Sequence, residues 1–283
     1  MLPTLDRPAP PAPGPPAPAR LGRILCAYDL STASRRALDL GLMLSRWHRA
    51  EVRVMHVLRA PGPGDAVAAA VREHAGAGTE VVVRAGDPVA GLLEQAAEWR
   101  ADLLVMGTHG QSGARPWGLG STADALIRRA TGPVLAVPAA APARAFRHVL
   151  AAFDFSGPAR RMLEVLAALA GPPSVRLTVL HVLEWFPSAA DLCVPEYQLD
   201  LTEATRERLS RALQASPLAG RPHQARVTAG VPHREILRLA AEAGADLIAL
   251  GRHGRRALDR HLPGPTTSHL LRESPCPVLA VNG

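Results

Sequence analysis

Three glycines and two hydroxyls form the pattern in this chain best suited to chemistry. Gly107-Thr108-His109-Gly110 is followed by nine intervening residues and then by Gly120-Ser121-Thr122, which opens an amphipathic segment. Glycine lets a backbone approach a bound anion closely, and a helix start points unpaired N–H groups and a positive dipole end at it. Ser121 and Thr122 add hydroxyl donors. Two more groups fall at the ends of apolar, strand-like runs. Asp29 offers a carboxylate suited to a ribose or base donor, and Val57 supplies backbone polar groups for an adenine edge. Together they outline a cleft of ATP size. Asp29 also has a plainer reading: with Ser31 it caps the turn that begins the next helix, as Asp154 and Ser156 do further on.

Composition narrows the alternatives. All 32 cations are arginines, with no lysine anywhere. That removes the Walker A loop, the kinase strand lysine and Schiff-base catalysis. A net charge of +7 invites a nucleic-acid reading, but the arginines are scattered among 25 acidic residues with only 4% aromatics, which favours a solvated surface. No apolar stretch approaches the roughly 18–20 residues that span a bilayer, and Met1-Leu2-Pro3-Thr4-Leu5-Asp6-Arg7 lacks a signal-peptide segment. A cytoplasmic protein with no membrane partner is expected. Cys26, Cys193 and Cys276 show no C-x-x-C spacing, which suits buried thiols in a reducing compartment. His109 and His253 lie within glycine loops where they can touch phosphate, but without carboxylate or cysteine partners they make a poor metal site. His56 and His181 occupy matching strand ends and read as structural.

The elements that must position these groups come in two copies. Arg23 to Ser31 lies over His148 to Ser156, and Met55-His56-Val57-Leu58 over Leu180-His181-Val182-Leu183, at a constant offset of 125 residues. Gly86-Asp87-Pro88 matches Gly230-Val231-Pro232, and Pro133 to Val137 matches Pro277 to Val281, at an offset of 144. The second half therefore carries 19 extra residues, which fall around Glu184 to Ser216. A Pro/Ala-rich leader over residues 1–21 and a Pro/Ala linker over 139–145 set off domains at 22–138 and 146–283. In the first half, strands are predicted at Arg23–Tyr28, Glu51–Leu58, Thr79–Arg84, Asp102–Gly107 and Val134–Pro138. Helices are predicted at Ser34–Trp47, Asp65–Ala75, Val89–Arg100 and Ser121–Ala130. Continuous apolar strands alternating with helices give an α/β fold with a parallel sheet covered on both faces. The insertion lengthens the helix after the second strand of the second half, with Thr202 near its start and Leu209 and Leu213 on its buried side.

With these residues in hand, the chain resembles the universal stress protein family from about Leu21 to Val281. The ATP-binding branch of that family carries G-x2-G-x9-G-[S/T], which Gly107, Gly110, Gly120 and Ser121 satisfy without a gap. Asp29, the strand before His56-Val57, the Gly86-x-Pro88 turn and the closing Gly132-Pro133-Val134-Leu135-Ala136-Val137 extend the match. The resemblance implies two tandem Rossmann-like domains, of the adenine nucleotide alpha hydrolase-like kind, each with a five-stranded parallel sheet flanked by helices. It implies ATP, with or without Mg2+, bound by Ala27, Asp29, Val57, Met106, Gly107, Gly110, Gly120, Ser121 and Thr122. In the second half the corresponding positions are Asp154, Val182, Gly251, Gly254 and Gly264. It also implies a stress-sensing or regulatory role and intramolecular pairing of the halves, with Val134–Pro138 and Val278–Val281 at the shared interface. A homodimer and an unidentified regulatory protein are left open as further partners.

The second half departs from the pattern at Pro265, where Ser or Thr is expected, followed by Thr266 and Thr267. Proline has no N–H, so a phosphate donor and a hydroxyl are lost while a helix start survives. Arg252, Arg255, Arg256 and Arg260 crowd the same loop and are candidates to compensate with side-chain charge. Arg115 and Trp117 in the first spacer either cover a nucleotide or form a solvated loop. No residue is set up to activate an attacking water, so no catalytic residue is assigned and a binding module is the leading expectation. The rivals are a slow ATPase or adenylyl-transferring enzyme on the same sheet, and a nucleotide-free interaction protein.

Overall fold

A computed structural model describes residues 21–58, 62, 64–110, 119–142, 144–169, 174–184, 195–252 and 264–283. Its first half runs β1 (Arg23–Ala27), α1 (Thr32–His48), β2 (Glu51–Leu58), α2 (Gly64–Ala75), β3 (Glu80–Ala85), α3 (Pro88–Glu98), β4 (Leu103–Gly107), α4 (Ser121–Arg129) and β5 (Val134–Val137). The second runs β6 (His148–Ala152), α5 (Gly157–Leu169), β7 (Arg176–Glu184), α6 (Pro195–Gln214), β8 (Gln224–Gly230), α7 (Pro232–Ala243), β9 (Leu247–Gly251), α8 (Pro265–Glu273) and β10 (Val278–Val281).

Helix boundaries follow from capping chemistry. Ser31 accepts from the Ser34 amide, so α1 starts at Thr32, two residues before the apolar periodicity alone indicates. The Gly-x-Pro turns act as a pair. Gly86 and Gly230 adopt φ of +136° and +150°, a region open to glycine, and Pro88 and Pro232 then begin α3 and α7. Asp87 caps α3 by accepting from the Ala90 amide at 2.7 Å.

The strands form one ten-stranded sheet in the order β3-β2-β1-β4-β5-β10-β9-β6-β7-β8. Every neighbouring pair is parallel except β5 and β10, which pair antiparallel with Leu135 opposite Leu279. The halves thus join through their last strands, and neither strand is left as an exposed edge. One buried cluster, containing side chains of α1, α5 and α6, covers one face of the sheet. Another, containing side chains of α3, α4, α7 and α8, covers the other. This is the three-layer arrangement that continuous apolar strands require.

Two expectations shift in detail. Leu21, grouped with the leader by its composition, is fully buried in the core; residues 1–20 lie outside the described residues. The helix carrying the insertion begins at Pro195, so Thr202 is well inside it. Leu209 and Leu213 are fully buried, as their spacing indicates.

Candidate functional site

In the order β3-β2-β1-β4-β5, the chain leaves β1 toward one side and β4 toward the other. Connections diverge at that point, and a crevice opens beyond the carboxyl ends of the two strands. A cavity of about 740 Å³ lies there. Ala27, Asp29, Val57, Met106 and Gly107 line it from the strand ends, and Gly110, Gly120, Ser121 and Thr122 from the following loop and helix. Thus all nine positions named for the first half come together. Apolar walls from Met55, Leu92 and Leu126 complete it. Their sequence signal is only the periodicity of a core, so nothing marked them as cavity residues.

The turn after β1 is tight and strained. The Ser31 amide donates to Asp29 Oδ1 at 3.0 Å, and Leu30 between them adopts φ +69°. The second half repeats this with Ser156 on Asp154 Oδ1 at 3.0 Å and Phe155 at φ +64°. A left-handed non-glycine residue costs on the order of 1–2 kcal/mol, so the turn is held by its surroundings. The capping role expected of Asp29 is present, but it uses one oxygen. The other, Oδ2, lies 2.6 Å from where a Cβ on Gly110 would sit. A side chain on residue 110 would have to push this carboxylate end aside.

The other glycines divide by role. A Cβ on Gly107 would lie 2.8 Å from backbone atoms of Ala33 and Ser34, and one on Gly251 within 3.0 Å of Pro158 and Ala159. These two residues are small because a helix start packs on the strand end, a different reason from the anion approach inferred from sequence. Gly120 donates its amide to Thr108 O at 2.8 Å, closing the loop, and provides no side-chain cap for α4. Among the described residues, the first-turn amides of α4 have no side-chain acceptor where Ser121 and Thr122 line the cavity.

Val57 has backbone groups to offer for a geometric reason. Met55 O accepts from Tyr28 N at 2.9 Å, and Leu58 O from Gly86 N at 2.9 Å, so alternate residues of β2 face opposite neighbours. Val57 shares the parity of Met55 and faces the side that β1 has left. His56 Nδ1 contacts Tyr28 O at 2.7 Å, and His181 Nδ1 contacts Phe153 O at 2.7 Å, in keeping with structural roles. His109 Nδ1 lies 2.9 Å from Thr108 Oγ1. Its Nε2 is buried without a partner among the described residues, and the residue lines the cavity.

In the second half, Asp154 follows β6, Val182 lies in β7, Gly251 ends β9, and Gly264 precedes α8. The Gly264 amide closes its loop on Arg252 O at 3.0 Å, as Gly120 does on Thr108. Gly254, His253, Arg255, Arg256 and Arg260 lie outside the described residues, as do Arg115, Trp117 and Cys193. Arg252 requires a correction. Its side chain is 5% exposed and donates from Nη1 to Ile127 O at 2.5 Å and Ala130 O at 2.8 Å, at the C-terminal end of α4 in the other half. It serves as a helix cap across the junction, because the α4 carbonyls attract the guanidinium. Burial lowers its pKa to about 10, so it stays charged at neutral pH.

The Universal stress protein family matches the chain over residues 63–138 and 145–282, and the chain belongs to that family. A universal stress protein of Thermus aquaticus, encoded in the QAH/OAS sulfhydrylase 3'region, is 35% identical over 141 residues, which cover 48% of this chain and 98% of the relative. A crystal structure of a universal stress protein from Archaeoglobus fulgidus aligns with TM-score 0.66 and 22% identity over 92% of this chain and 98% of that one. A functionally unknown protein from Pseudomonas aeruginosa aligns with TM-score 0.67 and 20% identity over 93% of both. The two structures share the fold. Among the described residues, no helix is long and apolar enough to cross a membrane.

Proposed function

We propose that the first half of this chain binds ATP and that the protein is a stress-response binding module whose conformation or partner choice the nucleotide biases. The observation that carries this reading is the convergence of Asp29, Val57, Gly110 and the uncapped start of α4 on one cavity of about 740 Å³. The residues present fit the ligand. Amides and hydroxyls of Ser121 and Thr122 suit phosphate oxygens, with the dipole of α4 behind them. His109 Nε2, buried and unpaired among the described residues, is a further polar group in the same lining. Asp29 Oδ2 suits ribose hydroxyls, and the backbone of Val57 suits the adenine edge. Mg2+ would accompany the phosphates. Bound ATP supplies a charge and a shape that other molecules can read.

Isothermal titration of the full chain with MgATP tests this. Wild-type protein is expected to bind, and Ser121→Pro, which copies Pro265 into the first half, is expected to weaken binding at least about tenfold. Proline is tolerated as the first residue of a helix, so the variant keeps its fold and loses only an N–H and a hydroxyl. Undetectable wild-type binding, or equal affinity for the variant, overturns the reading. Multiple-turnover phosphate release would instead identify the enzyme alternative.

A further inference from the structure

We propose that the groove between α5 and α6 is a second ligand site, which takes a small organic anion with a flat apolar body. The inference starts from a difference between the halves. In the first, Asp39 on α1 meets His74 Nε2 from α2 at 2.7 Å, and the pair bridges the two helices. The position matching Asp39 in the second half is Glu164. It has no ion pair or hydrogen bond among the described residues, although Arg160 stands one turn before it on the same helix. Ala212 on the longer α6 and Ala215 just past its end contribute only small side chains to the lining, and the gap stays open as a cavity of about 540 Å³. That is within the range of roughly 300–1,000 Å³ typical of small-molecule sites.

The lining specifies the ligand. Phe153, Phe155 and Leu163 form an apolar floor. Phe155 is the left-handed residue after Asp154, and the guanidinium of Arg208 lies 4.1 Å from its ring centroid. Arg160, Arg208 and Arg211 surround the groove, and none makes an ion pair among the described residues. Three cations against the single carboxylate of Glu164 leave an excess of positive charge over an aromatic surface. Arginine recognises carboxylate and phosphate oxygens through paired N–H donors and also stacks on flat rings. An aromatic carboxylate and an aromatic phosphate ester both satisfy these features, whereas an inorganic anion leaves the floor uncovered. The site is independent of the ATP reading, since it lies on a different pair of helices.

The test uses the full chain and three probes with one ring system: 2-naphthoate, 2-naphthyl phosphate and the uncharged 2-naphthalenemethanol. Calorimetric titration is expected to show saturable binding of at least one anion, at least tenfold tighter than the alcohol. The tighter anion identifies the head group. Arg160→Glu/Arg211→Glu is expected to weaken the anion at least tenfold, and Ala212→Trp, which fills the groove, to abolish binding. Both variants should retain the wild-type circular dichroism spectrum, and excess ATP should leave the anion bound. Equal binding of the alcohol, undiminished binding to Ala212→Trp, displacement by ATP, or no saturation by either anion overturns the proposal.

Discussion

Arg252 joins the second half's glycine loop to helix α4 of the first half, and its removal has a size that can be worked out. The two bonds to Ile127 O and Ala130 O are charge-assisted. Each such bond contributes about 1.5–3 kcal/mol, and a cation at a helix C-terminus adds about 1 kcal/mol. Burial works the other way, disfavouring the charged form and lowering its pKa to about 10. The guanidinium therefore stabilises the native state by a modest net amount. Truncation costs more than that net amount, because the carbonyls lose their donors while remaining buried. Arg252→Met keeps most of the side-chain volume and removes only the donors. It is expected to lower the unfolding free energy by about 3 kcal/mol, roughly 6–12 °C in melting temperature for a chain of this size. Urea titration followed by circular dichroism, with calorimetric melting beside it, measures both. A loss below about 0.5 kcal/mol would show that the two carbonyls do not need Arg252 and would refute the reasoning.

Other substitutions and conditions separate the remaining roles. Gly107→Val, whose Cβ would press on the backbone of Ala33 and Ser34, should destabilise the fold by about 1–3 kcal/mol or more in denaturant titration. Gly110→Ala pushes only on the mobile end of Asp29, so its stability should stay within about 1 kcal/mol of wild type. Its ATP affinity should nevertheless fall about tenfold; parallel calorimetry of both variants distinguishes these outcomes. Burial, partly offset by a hydrogen bond to the Leu169 backbone, holds the His48 pKa below 6.5. The unfolded chain then binds more protons, so this contribution is present above pH 6.5 and is lost as the pH falls below it. His48→Gln should show a shallower fall in melting temperature between pH 7 and 5, and identical slopes would exclude the contribution. Burial pushes the Cys26 thiol up to about 12 and raises that of Cys276. Iodoacetamide at pH 8 should therefore leave both unmodified in the native protein and label both after unfolding, as peptide mass mapping can establish.

Much of this architecture was legible because the chain writes it twice. Continuous apolar runs and period-3.6 patterns, repeated at offsets of 125 and then 144 residues, define strands and helices in each half, and such strands require helices on both faces. The Gly-x-Pro turns were legible for a local reason, since only glycine accepts the φ of Gly86 and Gly230 at ease. The first-half site was legible through Gly110, Gly120 and Ser121 because spacing sets loop geometry. What spacing does not encode is the partner across the fold. Gly107 reads like the other loop glycines, yet a helix start packs against it. Arg252 reads as a cation of its own loop, yet it caps a helix of the other half. Thr202 reads as a helix start because Pro195 lies within an insertion that has no copy to compare with. Glu164 matches an acidic counterpart, and only the fold reveals that, among the described residues, it has no bridging partner.

The central claim is that amides at the mouth of the first-half cleft hold the nucleotide. Backbone hydrogen exchange of the full chain, with and without saturating MgATP, tests it most directly. The account predicts at least about tenfold slower exchange at Gly110 and at Ser121 to Ala123. Unchanged exchange at those amides while ATP is bound, or protection confined to other segments, would contradict it.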